Sequence, residues 1–437
     1  MEWWTIFLFL FCGFALMMLI GLPVAFSFLL LNVVGSYVFM GGVEGVKQLT
    51  FSIYGAVANF VLTPIVLFIL MGEIIFNSGI ALNALNVLDK FLGRIPGRLS
   101  ILAVASSTLF SGLTGSAVSN TALLGSMLLP EMKRRGYGKS MMIGPIIGTG
   151  GLAMMMPPSA LAVVLGSVAH ISIAGILMGG ILPGFIMASL YTFYIIVKAS
   201  INPSVAPAYE MSETRALDIL KEFSAYVLPL FVVALLVIGP IYGGIATPTE
   251  AASLGCLGSV ILAICYGRFN VKVLVKSMEA TVRISCMAFM IIAGSVGYSQ
   301  IIAFTGAGQG MIEFVTSLSL SKTMIIILML SVLLMLGCFM DQMAMIMVTI
   351  PFYMPIVSNF NIEPVWFAIM VLITLDVGFT SPPFGLLLFV MKGIAPPDIS
   401  MIDIYKAAIP FIICNIVTLL IIFVYPKIVL YLPRLIG

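Results

Sequence analysis

Residues 110–121 read FSGLTGSAVSNT and interrupt an apolar run that extends from 99 to 130. Eight of these twelve residues are Gly, Ser, Thr or Asn, so the middle of the run is polar. Both flanks are basic, with Arg94 and Arg98 before the run and Lys133, Arg134, Arg135 and Lys139 after it. Because basic loops stay on the cytoplasmic side, the run enters and leaves the bilayer on one face. Its two legs of about 16 residues, roughly 24 Å each, predict a re-entrant helical hairpin at 99–130.

The composition places the whole chain in a membrane. It has 437 residues, of which 61% are hydrophobic and only 8% are charged, whereas soluble domains carry about 25% charged residues. A net charge of +3 leaves no basic patch for nucleic acid. One histidine (His170) and six cysteines without a CxxC pair point to neither a multi-histidine metal site nor a disulfide framework. We therefore predict an all-α polytopic membrane protein and exclude soluble enzymes and nucleic-acid binders.

Ten further apolar runs are long enough to cross a bilayer. They lie near 3–21, 22–40, 51–77, 141–168, 172–197, 223–243, 246–266, 284–304, 363–394 and 407–432. Ten crossings place both termini in the periplasm and the polar segment 199–222 in the cytoplasm as a linker. A basic loop with Arg268, Lys272, Lys276 and Arg283 is also expected to be cytoplasmic. A second broken apolar stretch, 322–358, then becomes a hairpin that enters from the outside.

Glycine and proline positions repeat at an offset of 225 residues. The pairs are Pro23 with Pro248, Gly112 with Gly337, Pro130 with Pro355, and Pro157-Pro158 with Pro382-Pro383. Five crossings separate the starts of the two halves, and since five is odd, the repeats have inverted topology. We predict a first repeat at 1–198 and a second at 223–437, each with a hairpin and a proline-broken helix at 141–168 or 363–394. Interrupted helices in inverted repeats are typical of secondary transporters, whose substrates bind near the bilayer midplane.

Four irregular elements are the candidate site: the tips at 110–121 and 337–342 and the breaks at 148–159 and 376–385. Two prolines inside an apolar run break the helix and free carbonyls near 153–156. Hydroxyl and carbonyl oxygens suit a hard cation such as sodium, and the helix after Asn120 aims N–H groups at an anion. Packing of small residues between helices, or a simple kink, explains the same residues without a ligand.

Four acidic residues lie within or beside apolar runs, where charge is costly. Asp341 and Asp376 sit at the second-half breaks and are candidates for function. Glu250 is expected at a helix N-terminus, and Glu73 is expected either to cap a helix or to face a neighbouring one. No Arg or Lys falls at the predicted midplane. A bound anion would then be neutralised by helix N-termini and by co-bound cations, which couples the two as a symporter requires.

At these motifs the sequence resembles the large membrane subunit (DctM type) of tripartite ATP-independent periplasmic (TRAP) transporters. The matching strings are Gly21-Leu-Pro-Val-Ala-Phe26, 110–121 with Pro130-Glu131-Met132, Pro157-Pro158-Ser159, 245–252, 337–341 and Ser381-Pro382-Pro383-Phe384-Gly385. The resemblance implies an elevator-type sodium symporter of organic acid anions in the bacterial inner membrane. It also implies a small four-helix membrane subunit (DctQ type) and a periplasmic substrate-binding protein (DctP type), and no cofactor beyond the coupling sodium ions.

The resemblance further implies two sodium sites. Their residues are Ser111, Thr114, Ala153, Met156 and Pro158 for the first, and Gly337, Gly378, Ser381 and Phe384 for the second. Ala153 and Ser381 stand where Gly and Thr are common, but a carbonyl and a hydroxyl remain. Substrate contacts are expected at the hairpin tips and the second break, from Ser116, Asn120, Thr121, Asp341 and Thr380.

Two other classes stay open. An intramembrane lipid-modifying enzyme would need an aspartate-rich metal motif or a His/Ser dyad, and the sequence has neither. A non-catalytic channel or scaffold subunit would not need hairpins from opposite faces. The substrate itself cannot be read, and C4-dicarboxylates, sialic acids, other sugar acids, sulfonates and keto acids all remain candidates.

Overall fold

The structure is a computed structural model that describes residues 3–92, 95–114, 117–207, 216–337, 340–383 and 385–435. These ranges contain helices, turns and loops and no β-strand, which confirms the prediction of an all-helical fold. The helices of the first half are α1 (Trp3–Leu19), α2 (Val24–Phe39), α3 (Val43–Val57), α4 (Thr63–Asn77), α5 (Ile80–Phe91), α6 (Arg98–Thr114), α7 (Ala117–Arg134), α8 (Lys139–Gly148), α9 (Leu152–Met155), α10 (Ala160–Ala169) and α11 (Ile173–Ile201).

The helices of the second half are α12 (Ala216–Tyr226), α13 (Leu228–Tyr242), α14 (Pro248–Cys265), α15 (Val271–Phe304), α16 (Ala307–Ser317), α17 (Lys322–Gly337), α18 (Gln342–Asn359), α19 (Pro364–Thr380), α20 (Leu386–Ile394), α21 (Met401–Val424) and α22 (Lys427–Leu430). Their order follows the first half at the offset of 225 residues. Helix α7 shifted by that offset coincides with α18 at both bounds. Helices α6 and α17 correspond within two residues, and α8–α9 correspond to the continuous α19.

By length and composition, six helical segments among the described residues can cross a membrane, and the bent pair 139–155 and 160–169 makes a seventh. The six are Phe60–Asn77, Ile173–Ile201, Asp218–Tyr242, Pro248–Cys265, Val271–Phe304 and Met401–Val424. Helices α1, α2 and α19 are apolar but only 16 or 17 residues long. The topology with ten crossings therefore stays a prediction.

Two expectations about element bounds were wrong. The run 51–77 is not one helix, because α3 ends at Val57 and Asn59 caps a short 3-10 turn before α4. Lys272, Lys276 and Arg283 do not lie in a loop, since the Asn270 side chain caps α15 and starts the helix well before its apolar part. Within the predicted linker 199–222, α12 begins at Ala216, and its Glu222 carboxylate lies 2.6 Å from the Lys90 ammonium group of α5.

The helices pack in two groups. The α15 group contains α1–α4 and α13–α15, and the hairpin group contains α6–α11 and α17–α21. In the α15 group the buried Asn32 amide donates to the Gly294 carbonyl at 2.5 Å. In the hairpin group the Trp366 indole donates to the Ile422 carbonyl at 2.8 Å, and Phe411 of α21 fills the space beside Gly144 and Gly148 of α8. The two groups also contact each other, α4 against α6 and α15 against α18, so their buried residues form one continuous hydrophobic core.

Ion pairs at the basic end of hairpin α6–α7, opposite its tip, join the two halves of the protein. Lys133 lies 2.5 Å from Asp398, and Lys139 lies 2.8 Å from Asp403 at the start of α21. The hydrogen bond from the Lys133 ammonium group lowers the pKa of Asp398. Exposed pairs of this kind contribute little to stability, so their main effect is on the relative orientation of the two elements.

Gly148→Ala should destabilise the protein. A Cβ atom there would lie 2.4 Å from the Phe411 ring, which is fully buried and cannot move aside. Overpacking of this kind costs about 1–3 kcal/mol. We expect a lower midpoint of thermal unfolding in detergent. Gly239→Ala is the control, because nothing lies within 4 Å of a Cβ atom at Gly239. Equal midpoints for the two variants would contradict the packing described here.

Candidate ion and substrate site

The structure brings both helix breaks against hairpin legs. A Cβ atom at Gly150 would lie 3.5 Å from the Cβ of Ala117, the first residue of α7, and 2.7 Å from the side chain of Leu387 in α20. A Cβ atom at Gly337 would lie 2.6 Å from the Cα of Gly378, so α17 and α19 touch backbone to backbone. Glycine is required at these contacts because any side chain would separate the helices.

The first break follows α9. Met155 ends this helix and Met156 is extended, with φ −81° and ψ 120°. Pro157 and Pro158 have no N–H group, so the carbonyls of Ala153 and Met154 lose their usual intrahelical donors. The helical conformation resumes at α10, whose first turn is capped by the Ser159 hydroxyl. The break therefore offers carbonyl oxygens within the buried core, where sodium-ligand carbonyls are expected.

The second break has the same chemistry. Helix α19 ends at Thr380, and Pro382 and Pro383 deprive the carbonyls of Gly378 and Phe379 of their intrahelical donors. Ser381 compensates in part, since its N–H lies 3.2 Å from the Gly378 carbonyl. Its hydroxyl donates to the Val377 carbonyl at 2.6 Å. Phe384, expected among the sodium ligands, lies outside the described residues.

Buried hydrogen bonds tie the first hairpin to the first break. The Asn120 amide donates to the Ser107 hydroxyl at 2.7 Å, and Ser107 donates to the Thr149 carbonyl at 2.9 Å. Several buried oxygens among the described residues have no hydrogen-bond partner, and Asn120 Oδ1, Thr121 Oγ1 and Ser106 Oγ, which belong to this hairpin, are among them. Asn120 thus has a structural bond and one free oxygen. Sequence reasoning missed Ser107, although the Ser106-Ser107 pair inside an apolar run was the available signal.

The tip of the first hairpin is described only in part. Ser111 and Thr114 lie in the last helical residues of α6, and a helix leaves its final carbonyls without intrahelical donors. Their side chains, and the whole of Ser116, lie outside the described part of the chain. The expectations for these three residues therefore stay predictions.

The second hairpin places Asp341 at a helix start. Its Oδ1 atom accepts hydrogen bonds from the N–H groups of Met343 and Ala344, at 2.9 and 3.2 Å, so it caps α18. The two legs are joined by the Tyr353 hydroxyl, which donates to the Met329 carbonyl at 2.7 Å. The carboxylate expected to contact substrate is therefore engaged by its own helix through one oxygen.

Asp376 is buried in the hairpin group with one side-chain donor. The Asn415 amide donates to Asp376 Oδ2 at 2.6 Å, and the Tyr191 hydroxyl donates to Asn415 Oδ1. Thr380, an expected substrate contact, donates to the Asp376 carbonyl at 2.8 Å. The sequence did not reveal Tyr191 or Asn415, although an asparagine inside the apolar run 407–432 was a usable signal.

The remaining acids and the histidine have local roles. Glu250 forms a capping box with Thr247 at the start of α14, which confirms its interpretation as a helix N-terminal residue. Glu73 accepts a hydrogen bond from Asn77 at 3.0 Å. His170 ends α10 in the left-handed conformation. Among the described residues no three His, Cys, Asp or Glu side chains come together as a metal site.

The site carries no basic side chain in its sequence. The stretches 106–121, 145–160, 337–347 and 372–386 contain neither Lys nor Arg. An anion held among these elements therefore has only N–H dipoles, hydroxyls and any bound cation to balance its charge.

Comparison with known proteins gives a consistent result. The sequence model of the family described as "Tripartite ATP-independent periplasmic transporter, DctM component" matches residues 11–428. The chain is 26% identical to the sialic acid TRAP transporter large permease protein of Vibrio cholerae, with 95% of each chain covered. It is 28% identical to the C4-dicarboxylate TRAP transporter large permease protein of Pseudomonas aeruginosa, with 90% of this chain and 91% of the relative covered.

A solved structure supports the fold independently. The YdaH transporter of Alcanivorax borkumensis, whose structure is described as having an unusual topology, aligns with a TM-score of 0.64. The alignment covers 89% of this chain and 91% of that one at 13% sequence identity. At this identity the likeness concerns the fold alone.

Ser107→Ala should lower stability more than an exposed serine substitution. It removes the link between Asn120 and the Thr149 carbonyl and leaves both groups buried without that partner, at a cost of about 1–3 kcal/mol. Ser126→Ala is the matched control on α7, because the exposed Ser126 hydroxyl bonds only its local Leu123 carbonyl. Thermal unfolding of both variants checks this, and an unchanged midpoint for Ser107→Ala would refute it.

Proposed function

This chain belongs to the DctM component of the tripartite ATP-independent periplasmic transporters, and we propose that it couples uptake of an organic acid anion to sodium. Membership confirms the prediction of a transporter component of the TRAP type and not of an enzyme. The observation that carries the sodium proposal is the pair of diproline breaks. Each frees carbonyl oxygens beside a hairpin leg, in stretches without Lys or Arg.

Oxygen ligands of this kind favour a hard monovalent cation. The first sodium would bind the carbonyls near Ala153, Met156 and Pro158 together with Ser111 and Thr114, and the second would bind Gly337, Gly378, Ser381 and Phe384. Backbone that is irregular at membrane depth is tolerated where it lines a cavity or binds a ligand. Sodium also supplies the positive charge that the anion lacks among the side chains, which couples the two.

The substrate would bind between the hairpin tips, near Ser116, Asn120, Thr121, Asp341 and Thr380. The sialic acid and C4-dicarboxylate permeases among the relatives suggest an organic acid for this chain as well. A periplasmic protein of the DctP type would deliver it, and a four-helix subunit of the DctQ type would accompany the chain in the inner membrane. Lipid is the other partner expected.

The hairpin group would move as one body against the α15 group, as in an elevator. Its two halves are held together by buried hydrogen bonds, including Tyr191 to Asn415 across the repeats. The inverted repeats at 1–198 and 223–437, with a cytoplasmic linker at 199–222 and both termini periplasmic, would give each face of the membrane one hairpin. A channel subunit is the second candidate, and a structure with one continuous open pore would favour it.

Sodium-driven uptake in proteoliposomes tests the proposal. The vesicles would contain this chain and its small subunit, with the binding protein and radiolabelled succinate or sialic acid outside. We expect accumulation under an inward sodium gradient and only background uptake when choline replaces sodium. Collapse of the gradient with a sodium ionophore is the control. Uptake of equal rate in sodium and choline would contradict sodium coupling.

Ser381→Ala should weaken sodium binding, because it removes a hydroxyl at the second break. Sodium stabilises the folded protein in proportion to its binding, so the thermal midpoint can be titrated with NaCl against choline chloride. We expect the half-maximal sodium concentration to rise about tenfold, the equivalent of one charge-assisted hydrogen bond. Ser331→Ala is the control, since its exposed hydroxyl bonds the carbonyl four residues earlier in the same way. Identical titrations for the two variants would remove Ser381 from the ligand set.

A further inference from the structure

Three buried side chains form a hydrogen-bonded network across the hairpin group. Tyr191 of α11 donates through its hydroxyl to Asn415 of α21, and Asn415 donates through its amide to Asp376 of α19. Tyr191 is fully buried, and Asn415 and Asp376 are each 1% exposed. The Tyr191 ring packs against Phe411, with ring centres 5.2 Å apart, which fixes where its hydroxyl points. The three side chains therefore form one continuous buried network, in which Asp376 Oδ1 has no hydrogen-bond partner among the described residues.

The network of Tyr191, Asn415 and Asp376 reaches the first break at Gly151. A Cβ atom at Gly151 would lie 2.1 Å from Asp376 Oδ2 and 3.1 Å from Oδ1, so the carboxyl group rests on the glycine backbone. The Gly151 carbonyl accepts the N–H of Met154 at 3.1 Å and thereby opens the short helix α9. Asp376 thus packs against the residue that precedes α9, the helix that contains Ala153.

The same network reaches the second break through the backbone of Asp376. The Thr380 hydroxyl donates to the Asp376 carbonyl at 2.8 Å, one helical turn before the diproline. Gly378, in contact with Gly337 of the outer hairpin, lies two residues after Asp376. Asp376 therefore also lies within one helical turn of the second group of freed carbonyls.

The two contacts are related by the repeat. Gly151 and Asp376 stand at equivalent positions, 225 residues apart, and α11 and α21 are equivalent helices. The network accordingly lies where the two halves of the protein meet. Buried polar networks favour one arrangement strongly, because breaking any bond leaves its partners unsatisfied. A network that touches both breaks at this point couples their geometries.

We propose that Asn415 is a positioning residue, which holds Asp376 between the two breaks so that sodium bound at one break favours sodium binding at the other. The inference rests on the proposed sodium coupling. Asn415 touches neither ion in this account and acts through Asp376. Coupling between two sites is reciprocal, so the signature is cooperativity in the sodium dependence.

Asn415→Leu tests the proposal with little change in side-chain volume. Uptake in the proteoliposomes would be titrated with sodium at constant ionic strength. We expect the sodium concentration for half-maximal uptake to rise about fivefold, the equivalent of one lost hydrogen bond, and the Hill coefficient to fall to about 1. Thr418→Val is the matched control, because Thr418 is also buried on α21 and its hydroxyl bonds only the local Cys414 carbonyl.

Substitutions of Asp376 separate positioning from charge. Asp376→Asn keeps an oxygen that accepts the Asn415 bond and should retain the wild-type Hill coefficient, whereas Asp376→Leu should behave as Asn415→Leu does. Equal losses in both Asp376 variants would show that charge matters and would overturn the positioning role. Tyr191→Phe keeps the ring packing and removes one hydroxyl, so it gives the same test, with a smaller shift, if Asn415→Leu fails to fold.

The outcomes distinguish this inference from the proposed function. Sodium-dependent uptake with an unchanged Hill coefficient in Asn415→Leu and Asp376→Leu would overturn the inference alone. Wild-type uptake that ignores sodium would overturn the proposed function and the inference with it. Loss of cooperativity in Asn415→Leu but not in Thr418→Val would support both.

Discussion

A carbonyl oxygen inside a membrane protein must find a donor or a cation, because no water in the hydrocarbon can satisfy it. The two diprolines of this chain remove the N–H groups that would serve the carbonyls of Ala153, Met154, Gly378 and Phe379. The rest of the hairpin group follows from that requirement. Neighbouring helices cover both breaks closely, and glycine residues make this possible at the contacts with each hairpin leg.

Close covering of the breaks depends on residues that have no side chain or a short polar one. Gly337 and Gly378 let two helices meet at their backbones, and Gly151 leaves room for the Asp376 carboxyl group. Ser107 supplies the hydroxyl that links the Asn120 amide to the Thr149 carbonyl. The same small residues that admit close packing are therefore those that make the site polar. Packing and ligand binding are not alternative explanations here.

The sequence predicted much of this architecture because its strongest signals are local. Diprolines, a run of small polar residues and basic flanks located the hairpin at 99–130, which the structure forms as α6 and α7, and both breaks. The sequence analysis did not predict short amphipathic helices such as α5 and α16, because the polar residues on one face interrupt the apolar run. The partners Tyr191 and Asn415, 224 residues apart, also escaped, since one sequence carries no record of long-range contacts. The predicted start of α15 was wrong because its basic residues were expected in a loop, whereas a helix can expose one charged face.

The claim that the two hairpins enter the membrane from opposite faces is tested most directly by cysteine labelling in intact cells. Single cysteines would replace Ile95, Arg134, Ser321 and Ser358, all of them exposed, in a variant without the six native cysteines. A membrane-impermeant maleimide should label the positions at Ser321 and Ser358 from the periplasm. The positions at Ile95 and Arg134 should react only after the cells are opened. Labelling of the two ends of either hairpin from opposite sides would contradict the account.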